Sequence, residues 1–451
     1  MFVGGWTTMT LQSLLENSAR IAAGFVALCL LAAPAQGEGF LEAIDQVLHE
    51  HPEIRAAERS VEAARANVRS AESVYLPSVT LNSDYGHEWI DSPERRSSPG
   101  ESSSLPRSKA TLALTQNLFS GGRNSGNVSI AESNLRIAEI ALDYTRQSVA
   151  YEAYEAYSSV LRDSWLVELS TLNEQTIAKQ LNLEDERVER GAGYAVDVLL
   201  AKTRLQLAKE RVVNFMGQYK ASQSRYEEVF GYRPEPQQMD LVEVDPSSIP
   251  ASVQEVRDAV VKQNLSLLGA AQEIDVAKSR ERVADADFLP TVNLEGGLNA
   301  ENNINATRGS RRDAFVLVRM TWELFSGFRV QANSRAASEQ KYVALNKSDD
   351  IRRTVVEDAT RAWEALQTAR DRAALLLNAS NIALEVSLAR RRLREAGQES
   401  ALNVLDAETE VFNARINQTS AEYDARIAQA RLLLAMGLLV PANFHPVPQP
   451  R

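Results

Sequence analysis

The feature that most constrains this chain is an internal duplication. The segment 118–123 reads LFSGGR, and the segment 324–329 reads LFSGFR, 206 positions later (324 − 118). Gly191 and Gly397 are separated by the same 206 positions (397 − 191). A constant offset over so long a stretch indicates a duplicated structural unit rather than a chance recurrence of one motif.

The two copies differ in length at one place. The Leu-Pro pairs at 76–77 and 289–290 are 213 positions apart (289 − 76), so the first copy has seven extra residues (213 − 206) before its LFSG. The polar loop 92–106, rich in serine and proline, has room for them. The predicted boundaries are a first repeat at 36–235, an inter-repeat linker at 236–251, a second repeat at 252–438 and a C-terminal tail at 439–451.

A very long helical segment is predicted after each LFSG. Glycine is absent from 127–190 and from 328–396, and proline is absent from 107–233 and from 291–440. Because glycine and proline break helices, their absence permits helices of unusual length. Apolar side chains that step by seven predict coiled-coil packing; in the first copy they are Leu135, Leu142, Val149 and Ala156.

Each long helix is expected to fold back as a hairpin. A glycine interrupts the helical pattern, at Gly191 in the first copy and at Gly397 in the second. We therefore expect helical hairpins over 122–231 and 328–437, with their tips near these glycines. A helix over 127–190 would be about 95 Å long, far longer than a single globular domain needs.

Two stretches of alternating side chains precede each hairpin. In 77–91 apolar residues at odd positions alternate with mainly polar residues at even positions, and 108–119, 290–301 and 313–324 repeat the pattern less regularly. Period two with one polar face is typical of β-strands, and each stretch is about as long as a strand of a membrane barrel. The alternative is a half-buried soluble sheet, which would find nothing obvious to pack on beside helices this long.

Four strands are too few to enclose a lumen, because single-chain barrels begin near eight strands. Strand edges left open in lipid would leave backbone groups without hydrogen-bond partners. We therefore expect a mainly α-helical fold with a membrane β-barrel portion that several copies of the chain build together. Three copies would supply about twelve strands, enough for a water-filled pore.

The N-terminal segment predicts export. An apolar run at 21–31 follows Arg20 and precedes Ala33-Pro34-Ala35, a small-x-small cleavage pattern. We assign 1–35 to a signal peptide. Cys29, the only cysteine, lies within the run and would be removed with it; a lipoprotein signal is the alternative.

Composition argues against several classes of function. The net charge of −11 makes nucleic acid an unsuitable partner, because phosphate binding needs a basic face. The triplet at 49–51, His-Glu-His, lacks the spacing of a metal motif, and the glycines at 121–122 are not followed by the lysine of a phosphate loop. We find no catalytic triad, so the sequence predicts no enzyme, no cofactor and no metal site.

The order of these elements resembles the TolC family of outer-membrane efflux and secretion ducts. The resemblance rests on the doubled order of Leu-Pro, two strands, LFSG and long helix, on His-Pro-Glu-Ile at 51–54, and on Asn-Val-Leu-Asp-Ala at 403–407. It implies a homotrimer that shares one twelve-stranded barrel in the cell outer membrane. A coiled-coil helical tunnel would extend from that barrel into the periplasm.

The resemblance also implies a pore constriction just after each hairpin tip. In the family, an Asp-Val-Leu-Asp-Ala pattern after the second tip provides acidic rings at the closed tunnel mouth. The matching positions are Asn403 and Asp406, and Asp197 is the corresponding acid after the first tip. Asn403 departs from the pattern, so one ring would be uncharged. The alternative is that Asp197 and Asp406 serve only to cap their helices.

Two further surfaces are predicted. The hairpin tips would contact a periplasmic adaptor; the candidate residues are Arg190, Gly191, Gly193, Gly397 and Gln398. Aromatic residues near strand ends suggest the girdle of a membrane barrel, with ordinary packing as the alternative; they are Tyr85, Trp89 and Trp322.

The function expected from the resemblance is passive conduction. The chain would be the exit duct of a tripartite export system, taking substrate from an inner-membrane pump and a periplasmic membrane-fusion adaptor. Type I protein secretion, driven by an ABC transporter, is the first expectation, and drug efflux with a proton-driven pump is the alternative. A secreted coiled-coil structural protein without a pore is the rival from another class.

Overall fold

The structure is a computed structural model that describes residues 39–97, 104–191 and 194–447. The predicted signal peptide, Cys29 and Gly193 lie outside the described residues. Among the described helices, none is long and apolar enough to cross a membrane.

The two sequence repeats fold into two copies of one unit, each with two helices, two strands and a helical hairpin. The first copy consists of α1 (Phe40–Glu50), α2 (Pro52–Glu72), β1 (Ser78–Trp89), β2 (Ser104–Phe119), α3 (Arg123–Glu189) and α4 (Ala195–Phe230). The second consists of α5 (Val253–Gln263), α6 (Leu265–Asp285), β4 (Thr291–Asn302), β5 (Ser310–Thr321), α7 (Arg329–Glu395) and α8 (Ala401–Met436). Corresponding helices have equal lengths, 67 residues for α3 and α7 and 36 for α4 and α8. The mainly helical fold with paired strands is thus confirmed.

The strands differ slightly from their predicted bounds. β2 begins at Ser104 and not near 108, because the end of β1 is long enough to pair with it as far as Trp89↔Ser104. β5 ends at Thr321, so Trp322 lies just beyond the strand. The loop after β1 has 14 residues (104 − 89 − 1) and the loop after β4 has seven (310 − 302 − 1). The seven extra residues of the first copy therefore lie in the loop after β1, as the offsets in the sequence predicted.

All four strands form one antiparallel sheet in the order β1-β2-β4-β5. The two hairpins join through β2 and β4, in a register that places Leu112 opposite Leu298. β1 and β5 are the two edge strands, and among the described residues each pairs on one side only.

The sheet has two chemically distinct faces. On one face apolar side chains align across all four strands, as in the row Leu81, Leu112, Leu298 and Ala314. These side chains are largely exposed; Leu81, for example, keeps 70% of its accessible surface. The opposite face has polar and charged residues, and we call the two faces the apolar face and the polar face. An exposed apolar surface of this extent marks contact with lipid or with another protein chain.

The helices extend from one end of the sheet. We call the layer formed by α2, α3, α4, α6, α7 and α8 the helical wall. A helix of 67 residues spans about 100 Å at about 1.5 Å per residue. α2 packs against α3, and α6 packs against both α3 and α7, over the half nearest the sheet. Beyond them α4 packs against α3 and α8 packs against α7, while α8 and α3 join the two hairpins.

The main core lies where the linker and the tail meet the wall. Leu241–Val244 in the predicted linker forms β3, and Phe444–Val447 in the predicted tail forms β6; the two pair as a separate antiparallel sheet. Tyr154 on α3 is fully buried beneath this sheet, and its hydroxyl donates a hydrogen bond to the carbonyl oxygen of Val242 at 3.1 Å. The ring of Phe40 packs edge-on against that of Tyr154. The linker and the tail therefore form one small sheet that packs against the middle of α3.

Candidate functional site

Both hairpin tips turn through a glycine in the left-handed region. Gly191 and Gly397 each have φ +74°. Residues with a Cβ are strained in this conformation, whereas glycine is not. The amide of Gly397 donates to the carbonyl of Arg394 at 2.9 Å, and the amide of Gln398 donates to that of Leu393 at 2.9 Å. Such bonds satisfy the last carbonyl groups of a helix. Arg190, Gly191, Gly397 and Gln398 are all exposed at the turns.

Asp197 lies in the first turn of α4, three residues after Tyr194, the N-cap residue. Its carboxylate is half-buried and has no side-chain partner within the described ranges. The negative charge is favourable at the N-terminal end of a helix. Among the described residues, no cation neutralises this charge.

Asn403 occupies the same position in the second copy, 206 residues later (403 − 197). Here the cap is Ser400, whose hydroxyl accepts a hydrogen bond from the amide of Asn403 at 3.1 Å. The side chain of Asn403 donates to Glu399. This hydrogen bond lowers the pKa of the Glu399 carboxyl below its usual value. A carboxylate thus lies beside the tip, four residues before the position of the family pattern, and it is 3.9 Å from the guanidinium of Arg390.

Asp406 does not cap α8; its carboxylate forms an ion pair with the guanidinium of Arg204 on α4. The predicted site residue therefore contacts the other hairpin of its own protomer. Next to it, Leu405 is 3% exposed and belongs to a buried apolar cluster with Val198 and Ala201 of α4. The start of α8 thus lies against an apolar cluster that also includes Ile177 and Leu181 of α3.

A second charged contact between the hairpins was not predicted from the sequence. Arg394, near the end of α7, donates to the carboxylate of Glu184 on α3 at 2.7 Å and to Gln180 at 2.9 Å. Glu184 is buried, with 9% of its side chain exposed. Because charge-assisted hydrogen bonds to buried groups are stronger than those at the surface, this contact holds the end of the second hairpin against the first.

Each hairpin also has an internal ion pair, with the charges reversed between the copies. Arg391 on α7 pairs with Glu408 on α8 at 2.7 Å, whereas Asp185 on α3 pairs with Lys202 on α4 at 3.9 Å. Each residue of the second pair is 206 positions before its counterpart in the first pair (391 − 185 and 408 − 202). Glu408 is only 3% exposed, and its second oxygen has no hydrogen-bond partner among the described residues. In both copies a basic and an acidic residue are 17 positions apart (408 − 391 and 202 − 185), with the order of the charges reversed. This pattern was the signal in the sequence that could have revealed both pairs.

The polar face of the sheet is a lattice of ion pairs. Arg107 on β2 contacts Asp84 at 2.9 Å and Glu88 at 3.0 Å across the β1–β2 ladder. Three further pairs join the remaining charged side chains of this face: Lys109 with Glu301 at 2.9 Å, Arg319 with Glu295 at 2.8 Å, and Arg311 with Asp313 at 3.3 Å. With five acidic and four basic side chains that are all paired, this face has almost no net charge.

The three aromatic residues predicted as a girdle are exposed, and they lie at different heights. Tyr85 and Trp89 are on the apolar face of β1, toward its distal end, and keep 83% and 70% of their accessible surface. Trp322 follows β5 at the end nearest the helices, where its indole donates to the carbonyl of Phe288 at 3.1 Å. Trp89 and Trp322 thus lie at opposite ends of the four-stranded sheet.

The chain is similar to several characterised proteins over nearly its whole length. It is 24% identical over 431 residues to the alkaline protease secretion protein AprF of Pseudomonas aeruginosa, covering 93% of this chain and 88% of AprF. It is 26% identical over 427 residues to the outer membrane protein TolC of Vibrio cholerae, covering 92% of this chain and 94% of TolC.

Solved structures show the same fold. The outer membrane channel CmeC of Campylobacter jejuni superposes with a TM-score of 0.76 at 17% identity, over 88% of this chain and 85% of CmeC. The family model for outer membrane efflux proteins matches residues 43–231 and 256–438, which are the two structural copies described above. The chain therefore belongs to the outer membrane efflux protein family, whose members reside in the outer membrane with a helical tunnel in the periplasm.

Proposed function

We propose that this chain is the exit duct of a tripartite export system and conducts substrate passively across the outer membrane. The observation that carries this proposal is the four-stranded sheet with an exposed apolar face, a charge-paired polar face and two open edges. Such a sheet is stable in lipid only when its edge strands are paired. The long helical wall attached to one end of it extends the conduit into the periplasm.

Closure of the barrel requires sister chains. β5 of one protomer would pair with β1 of the next, so that three protomers form about twelve strands around one lumen. The polar face then lines the lumen and the apolar face meets the membrane. Tyr85 and Trp322, which flank the apolar rows of the sheet at their two ends, fit the interfacial girdle that such barrels have. Trp89 lies beyond Tyr85 on the same strand.

The hairpin ends would form the gate. Asp197, Asn403 and Asp406 lie in the first two turns after the tips, where three protomers would place them in rings around the axis. The contacts of Arg204 with Asp406 and of Arg394 with Glu184 hold the second hairpin against the first. Opening would require these contacts to break while the hairpins move apart, and the acidic rings would favour cations at the constriction.

The tips are the surface that a periplasmic adaptor would contact, because Arg190, Gly191, Gly397 and Gln398 are exposed at the end of the wall. The driving force would come from an inner-membrane pump. Similarity to a protein named for alkaline protease secretion favours type I protein secretion with an ABC transporter. The alternative is efflux of small molecules with a proton-driven pump, since the relatives include the outer membrane efflux protein BepC of Brucella suis.

The central experiment is to purify the mature chain in detergent and measure its mass, its shape by electron microscopy and its conductance in a planar bilayer. We expect an elongated trimer that forms ion-conducting pores. A water-soluble monomer would exclude the duct, and a soluble elongated oligomer without conductance would indicate a coiled-coil structural protein instead.

A second experiment separates the two routes. Cells that lack the gene are compared with wild-type cells for proteins in the culture medium and for survival in bile salts and dyes. Loss of one secreted protein with unchanged survival supports type I secretion. Unchanged secretion with increased sensitivity supports small-molecule efflux.

A further inference from the structure

Charged side chains are distributed unequally between the two faces of the sheet. The nine on the polar face are all paired within the sheet. The apolar face of the four strands has a single charged side chain, Arg312 on β5. Its guanidinium is exposed and has no hydrogen-bond or ion-pair partner among the described residues.

Arg312 lies at the boundary of the apolar face. Its row across the sheet is Ser83, Ala110, Ala300 and Arg312. The next row toward the helices is Leu81, Leu112, Leu298 and Ala314, and the next row away from them is Tyr85, Ser108, Asn302 and Ser310. The face therefore changes from apolar to polar at the level of Arg312, as it does where acyl chains give way to headgroups.

The distance along the strand agrees with this position. Met320, the last apolar residue of β5, is eight positions from Arg312 (320 − 312), about 26 Å at about 3.3 Å per residue. A strand tilt of about 40° reduces this to roughly 20 Å along the membrane normal, comparable with the apolar band of about 25 Å in membrane barrels. Because the helices leave the sheet at the other end, Arg312 lies at the outer-leaflet side.

A groove runs along the apolar face beside Arg312. It has a volume of about 440 Å³. Most of its lining is apolar and comes from Leu81, Leu112, Leu298, Ala110, Ala300 and Ala314, and Arg312, Asn299 and Asp313 complete it. The alanines are shorter than the leucines around them, so the wall is recessed there. An apolar groove that ends at an unpaired cation matches a ligand with a hydrocarbon chain and an anionic head.

We propose that this groove binds an anionic, phosphate-bearing lipid of the outer leaflet, with one acyl chain against the leucines and a phosphate of its headgroup on the guanidinium of Arg312. A guanidinium can donate two parallel hydrogen bonds to one phosphate. Phosphate at this position removes the cost of an unpaired arginine beside hydrocarbon. The proposal rests on the proposed function, because it requires the apolar face to meet the membrane. A trimer would bind three such lipids.

The test counts lipids on the detergent-purified trimer by native mass spectrometry. Phosphatidylglycerol and phosphatidylcholine with identical acyl chains are titrated separately. We expect the wild-type trimer to bind phosphatidylglycerol more tightly than phosphatidylcholine. Arg312→Gln should lower the affinity for phosphatidylglycerol about tenfold, because it removes one charge-assisted contact. Arg312→Lys, which keeps the charge, should restore part of it. The matched control is Arg353→Gln on α7, an exposed arginine far from the sheet, which should bind as wild type.

Two further arms identify the ligand and the groove. Inorganic phosphate at millimolar concentration should not displace phosphatidylglycerol; displacement would show an anion site without the acyl chain. Ala300→Leu, which fills the groove, should weaken both lipids equally. Equal binding of phosphatidylglycerol by wild type and Arg312→Gln would overturn the proposal while trimer formation and conductance persist. A chain that neither trimerises nor conducts would instead overturn the proposed function.

Discussion

The carboxylate of Asp406 on α8 forms an ion pair with the guanidinium of Arg204 on α4, so that two hairpins of one protomer are joined directly beside their tips. The two residues come from different copies of the repeat and are 202 positions apart (406 − 204). A residue expected to be an acid of the constriction is therefore also part of the contact that keeps the hairpins together.

Replacement of Arg204 by glutamine should loosen the contact between the two hairpins. Asp406 would lose its cation, and the hairpins would separate more readily, so we expect a several-fold increase in mean conductance in a planar bilayer. Stability should fall by less than about 1 kcal/mol, because the pair is partly exposed. The control is Arg361→Gln, whose ion pairs are confined to α7; it should conduct as wild type. Equal conductance of the two variants would show that this pair does not restrain the gate.

The charge at the proposed constriction can be changed in both directions. Asp197→Asn removes a carboxylate that has no partner in the described structure, whereas Asn403→Asp adds one at the equivalent position. We expect the first variant to reduce the cation selectivity of the pore and the second to increase it, because rings of acidic side chains attract cations. Reversal potentials in a potassium chloride gradient measure this. Shifts of the same sign in both variants would contradict a constriction at these positions.

The reversed ion pairs allow an internally matched test of stability. Arg391→Gln leaves the carboxylate of Glu408 buried without its cation, and we expect a loss of about 3 kcal/mol in the free energy of unfolding. Lys202→Gln breaks the equivalent pair in the first copy, where both side chains are about half exposed, and should cost less than about 1 kcal/mol. Denaturant unfolding of the detergent-solubilised protein compares them. Similar losses would mean that burial of Glu408 is unimportant.

A pH dependence is expected where α6 meets α7. The ammonium group of Lys341 hydrogen-bonds to Glu281 at 2.7 Å and holds the pKa of that carboxyl below its usual value. Because the pKa of this carboxyl is lower in the folded than in the unfolded protein, its ionised form stabilises the folded state at pH values above the unfolded pKa. This stabilisation is lost as the pH falls through the pKa of the folded state. The melting temperature of Lys341→Gln should therefore lie below that of wild type at pH 7, and the difference should shrink between pH 5 and pH 3. A difference that is constant over this range would contradict the linkage.

Much of the architecture was determined by local patterns in the sequence. The constant offset implies equal helices in the two copies, since insertions within either long helix would have broken it. The absence of glycine and proline permits helices of 67 residues, and the glycines at 191 and 397 end them. These features depend on neighbouring residues alone, because helix propagation, helix termination and strand alternation are local properties of the backbone.

Only the tertiary structure decided which distant residues meet. The linker and the tail became strands because β3 and β6 pair with each other and cover Tyr154, and a four-residue strand has too short a pattern to be recognised alone. The start of β2 depended on how far β1 reaches alongside it. The pairing of Arg204 with Asp406 and the isolation of Arg312 likewise depend on neighbours brought together by the fold. Local sequence reveals the charge of such a side chain, whereas its partner is chosen by the packing of separate elements.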